Sequence, residues 1–262
     1  AVVRDDRWGR TYESYSENPE LVKSYAGKMV EGLQGDANTT DFLSPKHVIA
    51  TAKHFLGDGG TKGGIDRGDT EISEEELVKI HAQGYITAIE AGVQTIMASF
   101  NSWQGNRMHG HQYLMTDILK NRMGFDGLIV GDWNGHEFVA GCTKNNCPQA
   151  INAGLDIFMV PDDWKLLYEN TLAQVKSGVI PTARLDDAVR RILRVKMRAG
   201  LFDTGAPSTH LLAGKNEILG AVDHRAVARQ AVHESLVLLK NNKQLLPIKA
   251  GSRILVAGDG AD

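Results

Sequence analysis

At 262 residues, with 42% hydrophobic and 23% charged side chains, the chain has the composition of a folded globular protein long enough for one large domain or two small ones, which excludes the disordered and collagen-like classes. A net charge of -3 offers no basic stripe to nucleic acid, and no run approaches the roughly 18 apolar residues of a membrane span. With those partners set aside, chemistry on a small molecule is the better default.

Residues 1–4 read as the tail of a strand, and residues 5–13 as a polar, aromatic loop too rich in reactive groups for a plain connector. Asn18 followed by Pro19 predicts a helix start, with Leu21, Val22, Tyr25, Met29 and Leu33 at helical spacing until Gly35. The next strand is expected at 48–54, running into a glycine-rich loop at 57–64. Ser73 with Glu76 forms a capping box for a helix reaching about Gly92. A third strand is expected at 95–100, then a loop through Trp103 and His109, a helix over 113–122 closed by Gly124, and a fourth strand at 128–130. A fifth is expected at 155–160, stopped by Pro161, with helices at about 163–176 and 185–198.

Five strand-helix units without hairpin signals predict an α/β fold with a parallel sheet, a partial (β/α)8 TIM-like barrel. Residues 1–201 are assigned to it, 202–220 to a linker, and 221–262 to the beginning of a second α/β sandwich domain, with a helix at 221–240 and a strand at 253–257. Both ends fall inside apparent secondary structure, so the chain reads as a fragment, expected to be inactive and poorly folded alone. Cys142 and Cys147, in one polar loop, are compatible with a local disulfide or with two free thiols.

Asp132, at the end of the 128–130 strand, is a candidate catalyst, because the carboxyl ends of parallel strands form the functional rim of such folds. Its bland alternative is to cap a helix or hold a loop. Arg10, Lys53, His54, Met97 and Trp133 come to the same rim, and an anionic carboxylate among cations and rings suits a sugar pocket.

The runs Asp6-Arg7-Trp8-Gly9-Arg10-Thr11-Tyr12-Glu13, Lys53-His54-Phe55-Leu56-Gly57-Asp58, Gly127-Leu128-Ile129-Val130-Gly131-Asp132-Trp133 and Ala153-Gly154-Leu155-Asp156-Ile157-Phe158-Met159-Val160-Pro161 closely resemble the family 3 glycoside hydrolases, specifically β-glucosidases and exo-β-glucan glucohydrolases. The resemblance extends over essentially the whole chain. It implies a retaining, exo-acting β-glycoside hydrolase that releases glucose from β-glucosides or β-glucan oligosaccharides. Asp132 would be its nucleophile, Arg10, Lys53 and His54 would hold sugar hydroxyls, and Met97 and Trp133 would line the pocket. It implies no cofactor, no metal, an oligosaccharide substrate as the partner, and a periplasmic or extracellular setting. The acid/base would lie in the second domain, with Asp58, Glu13 and Asp66 as the first candidates should it lie within this chain. Phe100 stands where relatives often have Tyr, so a ring is kept and a hydroxyl lost.

Other readings stand beside this one. A β-N-acetylhexosaminidase of the same family is disfavoured by Leu56-Gly57-Asp58-Gly59 in place of a Pro-Gly-His-Gly context. A non-catalytic carbohydrate-binding barrel, and a lyase with Lys53 as Schiff-base former, are the readings from other classes. His109, His111 and His136 lack metal-site spacing, and Trp8 and Trp103 read equally as packing rings or ligand contacts.

Overall fold

The structure, a computed structural model, describes residues 1–261. The chain divides into two compact units, Ala1–Leu211 and the residues from Leu212 onward.

In the first unit three parallel strands, β1 (Thr51–Phe55), β3 (Thr95–Ala98) and β6 (Leu128–Val130), form one sheet in the order β1-β3-β6. Between them in sequence, β2 (Asp69–Thr70), β4 (Ser102–Trp103) and β5 (Asn106–Arg107) make a small second sheet. Leu77, Ile96, Ala98, Met115, Leu119 and Ile129, each fully or almost fully buried, anchor the apolar core around the main sheet. The architecture is α/β and barrel-like in its strand-helix order, but among the described residues the strands do not close into a barrel.

The first helix, α1 (Pro19–Gln34), starts where Asn18 accepts the Glu20 N–H at 2.9 Å and ends at Gly35. Its last residue, Gln34, is fully buried and aligns two strands: Oε1 accepts from the backbone of Ala50 and Gln94, and Nε2 donates to Gly92 O at 2.8 Å. The Ser73–Glu76 capping box is present and starts α2 (Glu74–Glu76), yet the expected continuous helix is interrupted by a π-helical turn, Leu77–His81, before α3 (Gln83–Glu90). Helices α1 and α3 touch through glycines. A Cβ on Gly27 would stand 3.0 Å from Thr87 O, and one on Gly84 3.0 Å from Val22 Cγ1, so larger residues would force the helices apart.

Several expected elements differ. Residues 113–122 are helical but with π geometry, Tyr113–Arg122. The strand expected at 155–160 is reduced to a single parallel bridge between Val130 and Ile157. The tail at 1–4 is likewise one bridge, Val2 to Ser16. A hairpin that the sequence did not signal joins β4 to β5 through Gln104 and Gly105, both at positive φ, the conformation a two-residue loop of this twist requires. Helices α4 (Pro148–Ala153), α5 (Trp164–Lys176) and α6 (Thr182–Arg198) complete the unit.

In the second unit α7 (Val222–Ser235) stops five residues short of the expected 240, and 253–257 forms no strand. Leu255 is 90% exposed, and an apolar run without a partner strand cannot satisfy its backbone as sheet. Cys142 and Cys147 are disulfide-bonded. Thiol titration of the unreduced protein is therefore expected to find neither cysteine, and two reactive thiols after oxidative expression would contradict the bond.

Candidate active site

β6 ends in Val130, and after Gly131 the chain turns so that Asp132 leaves the sheet with its side chain 14% exposed. The turn is held from beneath by His109, a buried residue whose Nε2 accepts the Asp132 N–H at 2.9 Å. A Cβ on Gly135 would approach His109 Cε1 to 2.3 Å, so the loop can lie on this imidazole only because that residue is glycine. Asp132 Oδ1 accepts the Trp133 N–H at 2.7 Å, which leaves Oδ2 facing the site. The Trp133 ring is 60% exposed beside it.

His54, near the end of β1, faces Asp132 across the rim. Its Nε2 is 3.6 Å from Asp132 Oδ2 and 3.5 Å from Arg10 Nη2. Arg10 in turn forms a two-bond ion pair with Glu13, at 2.7 and 2.8 Å, and this guanidinium holds the Glu13 carboxyl down to about 2 while Arg10 itself is pushed up. Of the expected site residues, the structure therefore brings Asp132, His54 and Arg10 together. Lys53 precedes His54 on β1, is exposed, and its side chain makes no hydrogen bond or ion pair among the described residues, though its charge acts on Glu13. Met97 lies half-buried on β3, in register with Val130 two residues before Asp132.

A cavity of about 230 Å³ borders these residues at Glu13, Lys53, His54 and Asp58. It runs back between β1 and the helices over Val22, Ala26 and Ala88, and neither Asp132 nor Arg10 lines it. The open face in front of Asp132, not this apolar cavity, carries the convergent polar groups.

Phe100 stacks under the Arg67 guanidinium, 4.3 Å from the ring centroid, with Phe138 edge-on at 5.9 Å. Trp8 and Trp103 are both buried, their Nε1 groups donating to Asp66 Oδ1 at 3.0 Å and to Ile72 O at 2.8 Å, so each packs the loops. The acid candidates are engaged as well: Asp58 by His54, Glu13 by Arg10, and Asp66 by Trp8. Among the described residues no group of three or more His, Cys, Asp or Glu is arranged to hold a metal ion, and no helix is long and apolar enough to cross a membrane. His136 instead packs edge-on to Phe158 and meets Lys144 O at 2.7 Å.

His109 is the supporting residue that sequence reasoning placed only in a loop. Burial lowers it to about 3, and burial likewise lowers His81 to about 4. Between these values and the ordinary 6.5 the unfolded chain binds protons that the folded chain does not, so stability is complete above about pH 6.5 and declines as pH falls. Denaturant midpoints measured from pH 7 to pH 4 should fall, and His109→Gln should flatten the slope. A profile identical in the two proteins would show that His109 is not held neutral.

A further buried cluster lies behind the sheet. Asp156, with no exposed side-chain surface, accepts from Lys120 Nζ at 2.8 Å, from Arg184 Nη2 at 2.5 Å and from the Ile129 N–H at 2.8 Å. Asp187 bridges the same Lys120 and Arg184 and adds Arg191. This network fixes β6, and hence Asp132, against α6.

Comparison with known proteins follows the same lines. Residues 1–195 match the model of the glycosyl hydrolase family 3 N terminal domain. A lysosomal beta glucosidase of Dictyostelium discoideum is 33% identical over 97% of this chain and 32% of its own length, and a periplasmic beta-glucosidase of Salmonella typhimurium is 32% identical over 100% and 34%. The crystal structure of an exo-1,3/1,4-beta-glucanase from a Pseudoalteromonas species superimposes with a TM-score of 0.94 at 60% identity, covering 99% of this chain and 32% of that one. The chain thus spans about a third of the length of these relatives.

Proposed function

The chain belongs to glycosyl hydrolase family 3, and from that membership we propose that the complete protein is a retaining, exo-acting β-glycoside hydrolase releasing glucose from β-glucosides or β-glucan oligosaccharides. The observation that carries the reading is the approach of His54 Nε2 to within 3.6 Å of Asp132 Oδ2, with Arg10 alongside. It joins a carboxylate just past the end of β6 to two groups able to hydrogen-bond sugar hydroxyls, His54 near the end of β1 and Arg10 in the loop at 5–13.

Asp132 Oδ2, the oxygen not occupied by the Trp133 N–H, attacks the anomeric carbon as the glycosidic bond breaks, giving a glycosyl ester that water then hydrolyses. Arg10, Lys53 and His54 hold hydroxyls of the sugar, contacts that strengthen as the ring flattens in the transition state. Trp133, 60% exposed, would offer its ring to the substrate, and Met97, half-buried on β3, would line the pocket. The leaving oxygen is protonated by a general acid that this reading places outside the residues described, since Asp58, Glu13 and Asp66 each already serve a partner of their own. An exported setting suits the disulfide and the periplasmic relative.

The test is hydrolysis of a panel of aryl glycosides and β-linked disaccharides by the complete protein. Release of glucose from the β-glucosides, with the first-formed sugar in the β configuration, is expected. Inversion, or no turnover of any β-glucoside, would overturn the proposal.

A further inference from the structure

Asp58 follows His54 by four residues but lies on a separate element. β1 ends at Phe55, Gly57 turns the chain at φ 93°, and Asp58 opens a short 3-10 turn, Asp58–Gly60. That turn has no room to move. A Cβ on Gly59 would lie 2.2 Å from Val2 O and one on Gly60 2.3 Å from His81 Nε2, while Gly59 O accepts the Arg4 N–H at 2.8 Å. The carboxylate is used on both oxygens: Oδ1 takes the Gly59 N–H at 3.0 Å, and Oδ2 meets His54 Nδ1 at 3.0 Å. The His54 and Asp58 side chains are close to fully buried, at 8% and 11% exposure.

A carboxylate only accepts, so the proton of this contact sits on His54 Nδ1. The imidazole plane and its tautomer are then set from behind, and Nε2 is the nitrogen presented to Asp132 and Arg10. Resting on the function proposed above, we propose that Asp58 is the positioning residue of the site: it orients His54 through Nδ1 so that Nε2 is held beside Asp132, where the sugar hydroxyl binds. Asp58 touches no substrate. Its effect passes entirely through the imidazole, as an outer partner of a ligand-binding histidine does, and such partners typically matter by about 10- to 100-fold.

A double-mutant cycle in the complete protein separates this role from a merely structural one. Asp58→Ala should lower kcat/KM for an aryl β-glucoside by about 10- to 100-fold in the wild-type background. In a His54→Ala background the same change should alter kcat/KM by less than about threefold, because the group through which Asp58 acts is gone. Equal losses in both backgrounds, or no loss in the first, would overturn the proposal. The isosteric Asp58→Asn guards against unfolding and should show the same non-additivity. Nitrogen NMR of labelled histidine gives a second readout that needs no turnover: His54 should carry a proton on Nδ1 in the wild type and lose that preference in Asp58→Asn. An unprotonated Nδ1 in the wild type refutes the positioning role even if the enzyme is active. Absence of glycosidase activity with Nδ1 protonated refutes the proposed reaction and leaves the Asp58–His54 coupling standing.

Discussion

Replacing Asp132 by alanine in the complete protein is expected to lower kcat by about 10⁴-fold or more, equivalent to roughly 5.5 kcal/mol of barrier. In the proposed reaction the substitution removes the atom that would bond to the anomeric carbon and little else. The backbone N–H that donates to His109 is retained, Gly131 and Gly135 still pack on that ring, and the carboxylate gives up one bond, to the Trp133 N–H. Binding of glucose should survive, because Arg10, Lys53 and His54, the proposed hydroxyl-binding groups, remain in place. The loss should therefore fall on kcat more than on affinity. A variant keeping a tenth of the wild-type rate would show that another group makes the bond.

The second large effect is on stability. Asp156→Ala should destabilise the protein by about 3–5 kcal/mol, the range for removing one partner of a buried ion pair. Lys120, 3% exposed, and Arg184, 14% exposed, would then have Asp187 as their one remaining carboxylate in the network, and the Ile129 N–H would lose its acceptor. Burial already disfavours the charged form of Lys120, with Asp156 as the chief opposing influence, so the cation left behind is the expensive part. Asp156→Asn separates the two contributions, because an amide oxygen can still accept from Ile129 while the charge is gone. Chemical denaturation of the three proteins measures this. Midpoints indistinguishable from wild type in both variants would mean that the network contributes nothing.

Local signals carried much of the fold into the sequence. Asn18 before Pro19, the Ser73–Glu76 pair and Gly124 after the 113–122 helix each satisfy a backbone need within a few residues, and each is found as expected. What was not legible depends on partners. An apolar run such as 253–257 becomes a strand only beside another strand, and 155–160 meets the sheet only through the Val130–Ile157 bridge. Gln104-Gly105 adopts the positive φ angles of a tight hairpin without the Asn-Gly signature that would have announced it. At the site, Asp132, His54 and Arg10 were legible as polar groups expected at one rim, but their roles came from the family resemblance, since a strand-end acid alone is as often a cap or a loop anchor. His109 did not, since its contact with the Asp132 N–H spans 23 residues and only the neighbouring glycines hint at an imidazole beneath them. The Lys120–Asp156–Arg184–Asp187 network is likewise scattered over separate elements and has no spacing to read.

Whether Asp132 forms the glycosyl ester can be decided by reacting the complete protein with a 2-deoxy-2-fluoro β-glucoside bearing a good leaving group and mapping its peptides. The fluorine slows hydrolysis of the ester so that it accumulates. One sugar per polypeptide is expected, attached to the peptide containing Asp132 and absent from Asp132→Ala. A sugar on any other residue, or active enzyme that never accumulates an adduct, would rule Asp132 out as the nucleophile.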